Sequence, residues 1–140
     1  MIRHLGVVLV AVLVASGCKG PTDPSQNILE PLFSGSVQPF SNGPIHRFTI
    51  SNTGEFKVSV ASLAPGSPYI GVGWGQIQGT ACGLIQRNAV DSTQIGKTAL
   101  TGSVQIKGDY CALVFDASLL SVIYPALTVA QNYTLQVSHP

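Results

Sequence analysis

Two of the three cysteines and two of the three histidines could in principle perform nucleophilic chemistry. Cys82 and Cys111 each carry a thiol, and His46 or His139 could serve either thiol as a general base. A catalytic cysteine needs a lowered pKa and an imidazole held beside it. His139 is the penultimate residue, where we expect a mobile terminus, and His46 lies among core-type residues of a predicted strand. We therefore rank a Cys–His hydrolase below a simple disulfide between Cys82 and Cys111.

The other motifs that hint at a catalytic or ligand site lack the context that their chemistry requires. No Gly-x-Ser-x-Gly elbow occurs, and six scattered carboxylates suggest no acid–base pair. Gly71-Val-Gly-Trp-Gly75 lacks the strand–loop–helix setting of a nucleotide site and predicts a strand with one closely packed face. The side chains of Asn88, Asp91, Asp109 and Asp116 could supply oxygen ligands to calcium, but they are spread over at least two turns, and polar turn chemistry explains them equally well. We predict no metal and no cofactor.

The N-terminal residues have the layout of an export signal. Arg3 precedes an unbroken run of apolar or glycine residues from Leu5 to Val14. A positive start followed by a short apolar run is typical of a signal peptide. A helix needs about 20 apolar residues to cross a bilayer, so this run is too short to span one.

The residues after this run, Val14-Ala15-Ser16-Gly17-Cys18, resemble the bacterial lipobox, in which the cysteine is lipidated and becomes the new N-terminus. The resemblance implies a diacylglyceryl group on Cys18, usually with an N-linked acyl chain such as palmitate, and two or more chains anchor a protein durably. Lys19 after the cysteine favours the outer membrane if the source is Gram-negative. The alternative is an ordinary secretory signal cleaved near Ala15 or Gly17, which would leave a free or disulfide-bonded thiol.

The composition indicates an extracytoplasmic protein with an uncharged polar surface. Charged residues make up 9% of the chain, against about 25% in ordinary globular proteins. Once Arg3 leaves with the signal, six Lys and Arg balance six Asp and Glu, which disfavours binding to nucleic acid. Because 45% of the residues are hydrophobic, the chain can fill a core.

From Ser34 onward, short β-prone runs alternate with turn signals, and no amphipathic helix is apparent. This pattern predicts an all-β fold, an antiparallel, jelly-roll-like β-sandwich. We predict one hairpin between strands at 46–50 and 56–60, and another between 99–106 and 109–115. In the second hairpin Cys111 shares the more apolar face, so we expect its thiol to point into the core. Further strands are predicted at 70–75, 82–86 and 132–137.

Five segments carry a family resemblance: Phe33-Ser-Gly-Ser-Val37, His46-Arg-Phe-Thr-Ile50, Gly54-Glu-Phe-Lys-Val58, Gly108-Asp-Tyr-Cys-Ala-Leu-Val-Phe-Asp116 and Asn132-Tyr-Thr-Leu-Gln-Val137. In this order they resemble the bacterial pre-peptidase C-terminal (PPC) domain family over residues 33–140. The resemblance implies a small β-sandwich that accompanies secreted enzymes or stands alone at the cell surface. Some family members are similar to collagen-binding modules that use calcium, but their carboxylate cluster is missing here.

The segment 119–127 has seven large apolar or aromatic residues, counting Pro125, between the last two predicted strands, where the PPC family usually has a short polar loop. Exposed apolar patches often mark interaction sites. One hypothesis is that Leu120, Ile123 and Tyr124 contact a partner, together with Tyr69 or Trp74. The interpretation that we favour for the segment is an added edge strand, or a loop that covers one end of the sandwich.

These observations divide the chain into a cleaved signal peptide (1–17), a lipidated N-terminus with a proline-rich tether (18–32) and a PPC-like domain (33–140). We predict a non-enzymatic binding module, held on the membrane by acylated Cys18, that contacts an envelope protein or polysaccharide. The first rival is a purely structural envelope lipoprotein without a specific ligand, and the second is the Cys–His hydrolase.

Overall fold

The computed structural model describes residues 26–66 and 68–140, so the predicted signal peptide and Cys18 lie outside the described residues. The described chain forms two antiparallel sheets that pack face to face, and two short 3-10 helices lie in the connecting loops. The strands are β1 (Ile28–Leu29), β2 (Phe33–Val37), β3 (His46–Ile50), β4 (Gly54–Ala64), β5 (Ile70–Gln78), β6 (Ala81–Val90), β7 (Thr98–Val104), β8 (Gly108–Phe115) and β9 (Gln131–His139), and the 3-10 helices are Ser92–Gln94 and Ala117–Leu119.

The strand pairs are nested along the chain. The first sheet has the order β7-β4-β9, with β1 and β2 paired one after the other along the free side of β9, and the second has the order β3-β8-β5-β6. Pairing therefore joins β2 with β9, β3 with β8, β4 with β7, and β5 with β6. This nesting is the jelly-roll arrangement of two packed sheets. The predicted all-β, jelly-roll-like sandwich is confirmed.

Both predicted hairpins are wrong, because in each of them the two consecutive strands lie in different sheets. β3 pairs with β8, whereas β4 pairs with β7 and β9. β7 likewise pairs with β4, whereas β8 pairs with β3 and β5. Alternation identifies the buried face of a strand but not its neighbour, and strands of opposite sheets bury a face in the same core.

The core lies between the two sheets and is built from the alternating apolar residues that the sequence indicates. Trp74 of β5 stacks face to face on Phe56 of β4, with ring centroids 3.9 Å apart and an interplanar angle of 4°. The alternating apolar residues of three predicted strands are buried there: Phe56, Val58 and Val60; Ile70, Val72 and Trp74; Tyr133, Leu135 and Val137.

Strand β8 is buried on both of its faces. The residues that join the sandwich core are Tyr110, Ala112 and Val114. Cys111 therefore points to the outer side of its sheet, and the prediction that it points into the core is wrong. Its outward neighbours, Leu113 and Phe115, are buried as well. With two apolar faces on one strand, hydrophobicity alone does not show which face meets the other sheet.

Glycines on the outer face of β5 allow the β5–β6 hairpin to fold over that face. A Cβ atom on Gly73 would lie 2.8 Å from the Leu84 side chain, and one on Gly75 would overlap the Gly83 carbonyl. The fold-over brings Cys82 to Cys111 although β5 lies between their strands, with a Cα–Cα distance of 5.8 Å and an S–S bond of 2.05 Å. The predicted disulfide is confirmed.

The domain begins inside the segment that we assigned to the tether. Ile28 and Leu29 pair with the last residues of β9, and the Glu30 N–H donates to the Val137 carbonyl at 2.9 Å. The Glu30 carboxylate lies 2.9 Å from Nε2 of His139, whose side chain is fully buried. The expectation that His139 is mobile is therefore wrong, because β-pairing and this polar contact hold it in place.

Candidate functional site

One end of the sandwich gathers four loops. Strand β9 starts at this end and finishes beside Ile28, so the loops lie at the opposite end from the first described strand. Because β9 has nine residues, the two ends are about 27 Å apart. The loops comprise residues 38–45, 65–69 (Ser67 not described), 91–97 and 116–130.

A buried carboxylate, Asp116, ties two of these loops together. Its Oδ2 accepts hydrogen bonds from the N–H groups of Phe40 (2.7 Å) and Leu127 (3.1 Å), and its Oδ1 accepts one from Ser118 (3.0 Å). Its own N–H donates to the Ser41 carbonyl at 3.0 Å. Burial alone would raise the pKa of Asp116, but the N–H donors outweigh it and hold the pKa below the usual value. A charged Asp116 therefore fixes both loops in one arrangement.

Large apolar side chains project from these fixed loops into solvent. Val122 is 97% exposed, Ile123 75% and Phe40 70%, and Leu119 and Val129 are about half exposed. Beneath them Leu127 is buried and belongs to the core. We call this surface the apolar loop end; it comprises Phe40, Leu119, Val122, Ile123 and Val129, with the ring pair Tyr69 and Tyr124 beside them.

Phe40 has a backbone conformation that is unusual for a bulky residue. Its φ of 55° lies in the left-handed region, which typically costs 1–3 kcal/mol for a residue with a side chain. The hydrogen bond from its N–H to Asp116 holds the residue there. The fold thus stabilises a strained conformation that keeps an aromatic ring in water.

The structure brings together most of the predicted contact residues. Tyr69 and Tyr124 pack with ring centroids 5.0 Å apart, Ile123 is exposed, and Leu120 is half-buried. Trp74 does not belong with them: only 2% of it is exposed, because it stacks on Phe56 in the core. The assignment of Trp74 as a contact residue is therefore wrong.

Sequence reasoning missed Phe40 and did not single out Val122. Val122 lies within the apolar segment 119–127, so the signal for it was present. Phe40 is one large aromatic among turn-forming residues, Gln38-Pro-Phe-Ser-Asn-Gly-Pro44, and that isolation is a usable signal. Its neighbour across the fold, Asp116, is 76 residues away, so the connection between them needs the topology.

The apolar loop end has no charge of its own. Loops 38–45, 65–69 and 117–130 contain no Lys, Arg, Asp or Glu. In the fourth loop Asp91 and Lys97 have opposite charges. This end of the domain therefore offers hydrophobic contact rather than electrostatic attraction.

The carboxylates and amide that could bind calcium have separate structural roles. Asp91 caps the 3-10 helix Ser92–Gln94, Asp109 accepts a hydrogen bond from Thr49 at 2.7 Å, and Asn88 donates to the Ala99 carbonyl at 3.0 Å. Within residues 26–66 and 68–140, no three His, Cys, Asp or Glu side chains are grouped as a metal site would require.

A cleft of about 270 Å³ lies on the outer side of the second sheet. Its charged residues are Arg47 and Asp109, and both already have partners within the fold. Arg47 donates to the Thr80 carbonyl at 2.8 Å, and Asp109 accepts from Thr49. The hydrogen bonds of these polar side chains within the fold therefore do not indicate a particular ligand for the cleft.

The described cysteines and histidines, Cys82, Cys111, His46 and His139, do not form the Cys–His pair that a thiol hydrolase needs. Both thiols are consumed in the disulfide. His46 lies 3.0 Å from the Tyr133 hydroxyl and stacks on Phe33, while His139 contacts Glu30. Each imidazole therefore has a partner other than sulfur.

We expect His46 to make the domain less stable in mild acid. Burial lowers the pKa of His46 and raises that of Tyr133 to about 12, so both groups are neutral at pH 7. Because the unfolded chain takes up the His46 proton first, stability is complete above the ordinary value of 6.5 and falls as the pH drops from there through the lowered folded pKa. Urea unfolding at about pH 7 and pH 5 should show this loss, and His46→Gln should reduce it. If His46→Gln loses as much stability between pH 7 and pH 5 as the parent chain, a group other than His46 causes the loss.

Comparison with known proteins gives no relative for this chain: no family profile, no curated protein and no solved structure matches it. Among the described residues, no helix is long and apolar enough to cross a membrane.

Proposed function

We propose that the chain is a lipid-anchored lipoprotein of the bacterial cell envelope, whose PPC-like β-sandwich is a non-enzymatic binding module that acts through the apolar loop end. The observation that carries this proposal is a set of large apolar side chains exposed on loops fixed by a buried carboxylate. Contiguous exposed apolar surface usually marks a contact site. The strained Phe40 adds support, since its exposed ring gains little from folding.

The geometry also supports the placement of this module relative to its anchor. With acyl chains on Cys18, the tether would join the domain at the end where Ile28 lies. The apolar loop end is about 27 Å away along β9. An anchored domain would therefore present this surface away from the attachment point, toward another component of the envelope; the outer membrane is the site we favour in a Gram-negative source.

The proposal is tested by site-specific photo-crosslinking in cells that express the full chain. A photoreactive residue at Val122 should give a covalent adduct with an envelope component, identified by mass spectrometry. The same residue at Lys57, which is exposed on β4, should give none and serves as the matched control. In a parallel arm, Cys18→Ser should move the chain out of the membrane fraction.

Two results would contradict the proposal. An anchored chain with no adduct at Val122 would favour the purely structural lipoprotein. A Cys18→Ser chain that remains in the membrane fraction would refute the lipid anchor, whatever the crosslinks show.

A further inference from the structure

We infer that the apolar loop end binds the hydrocarbon of a lipid bilayer that faces the end opposite the anchor, by inserting its exposed side chains below the headgroups. This inference rests on the proposed binding role of that surface and adds the class of ligand. Four properties of the loops distinguish a lipid surface from a folded protein partner: their shape, their lack of charge, their internal hydrogen bonding and their tyrosine pair.

The exposed side chains project from the domain rather than line a groove. Val122 is almost fully exposed, and Ile123 and Phe40 are exposed by 75% and 70%. A projecting tip needs a matching pocket on a protein, whereas a fluid bilayer adapts to any apolar shape. Large exposed aliphatic and aromatic residues are the ones that interfacial membrane-binding segments bury at the boundary between headgroups and acyl chains.

The loops that would enter the bilayer contain no charged side chain, the kind of group that is most costly to transfer into hydrocarbon. Residues 38–45, 65–69 and 117–130 include no charged side chain, and Asp116 is buried beneath the surface. The charged residues Asp91 and Lys97 belong to the fourth loop, 91–97. Transfer of a charged side chain into hydrocarbon is costly, so charge-free loops are a requirement for insertion. The rim of a protein interface, by contrast, is usually polar.

Several backbone N–H groups of the projecting loop donate to acceptors within residues 116–121. The Leu119 N–H donates to the Asp116 carbonyl and the Leu120 N–H to the Ala117 carbonyl, both at 2.9 Å. Farther along, the Ile123 N–H donates to the Ser121 hydroxyl at 3.4 Å, and the Tyr124 N–H donates to the Ser121 carbonyl at 3.1 Å. Since hydrocarbon offers no hydrogen-bond partners, each N–H that is already bonded within the loop makes insertion less costly.

Tyr69 and Tyr124 lie where the loop end would meet the headgroups. They pack on each other at 5.0 Å and are half-buried, while Val122 and Ile123 extend into solvent. Tyrosine is enriched at the boundary between membrane and water because its ring is apolar and its hydroxyl is polar. Because no basic residue lies in these three loops, binding should require neither anionic lipid nor low salt.

The test uses residues 18–140 with Cys18→Ser, so that no acyl chain contributes to binding. This chain keeps the whole core, whose buried members lie between Val37 and Val137. Mixed with neutral phosphatidylcholine vesicles, it should float with them on a density gradient, to the same extent at low and high salt. The double variant Val122→Asp, Ile123→Asp should lose roughly a hundredfold or more in partitioning.

A matched control distinguishes insertion of the loop end from nonspecific hydrophobic adsorption to vesicles. Ile85 is 68% exposed on β6, away from the loop end, so Ile85→Asp should float like the parent chain. Unchanged circular dichroism will show that both variants are folded. The inference is overturned if the parent chain does not float, or if Ile85→Asp and the double variant lose binding equally.

The two proposals fail in different ways. If the parent chain does not float with vesicles while Val122 crosslinks to a protein in cells, the lipid inference is wrong and the proposed binding role stands. If the parent chain neither floats nor crosslinks, both are wrong.

Discussion

Replacing Asp116 by alanine is expected to lower the free energy of unfolding by about 4 kcal/mol, because it leaves one buried and two partly buried N–H donors without an acceptor. The donors are the backbone N–H groups of Phe40, Ser118 and Leu127. No water reaches the carboxylate, which is 0% exposed, so the loss is only partly recovered by solvation. Urea unfolding of residues 18–140 with Cys18→Ser will measure it.

Asp91 provides a control with the same chemistry in water. Its carboxylate also accepts a backbone N–H, from Thr93 at 2.8 Å, and caps a 3-10 helix, but it is exposed to solvent. Asp91→Ala should therefore lower the free energy of unfolding much less than Asp116→Ala does. Equal losses in the two alanine variants would show that burial of Asp116 does not contribute to its effect.

The pH dependence of unfolding tests whether Asp116 is charged in the folded state. Its folded pKa is lower than the ordinary value of 3.8, so its stabilisation is complete above that value and is lost as the pH falls through the lowered pKa. Asp116→Asn removes the titrating group. The variant should lose less stability than the parent chain between neutral pH and strong acid, and a parallel loss would contradict a charged Asp116.

The sequence predicts strand faces much better than strand partners. Phe56, Val58 and Val60 alternate with polar residues, so period-2 reasoning finds their buried face. Period-2 reasoning fails for strand β8, since Cys111 on one face and Tyr110 on the other are both buried. Pairing is set by which strands meet across the whole jelly roll, and that information is not local.

Part of the candidate site could also be predicted from the chain alone. The apolar run 119–127 draws attention to Ile123 and Tyr124 without any coordinates. The sequence does not show that Asp116 holds this segment in place. In the sequence Asp116 is an ordinary turn carboxylate, and only the structure places Phe40 beside it. A buried charge acquires its role from partners that only the fold brings close.

Replacing Gly75 by alanine is the second substitution with a large expected effect, a loss of about 3 kcal/mol or more. The new Cβ would overlap the Gly83 carbonyl and lie 2.8 Å from Cα of Leu84, both of which are backbone atoms. The backbone cannot rotate away as a side chain can, so the hairpin must lift from the sheet that the Cys82–Cys111 disulfide holds it against. We expect the melting temperature to fall by roughly 10 °C.

A series of alanine substitutions distinguishes this backbone clash from a general intolerance of change at glycine. At Gly73 the nearest obstacle is the flexible end of Leu84, so the loss should be smaller than at Gly75. At Gly66 the nearest atom is Cβ of Ser92 at 3.9 Å, an ordinary contact, so alanine should change stability by no more than about 0.5 kcal/mol. Thermal unfolding of the three variants should give the order Gly75, Gly73, Gly66 from largest loss to smallest. A Gly75→Ala chain as stable as Gly66→Ala would mean that the hairpin does not lie against β5, and the position of the disulfide on the outer side of the sheet would have to be reconsidered.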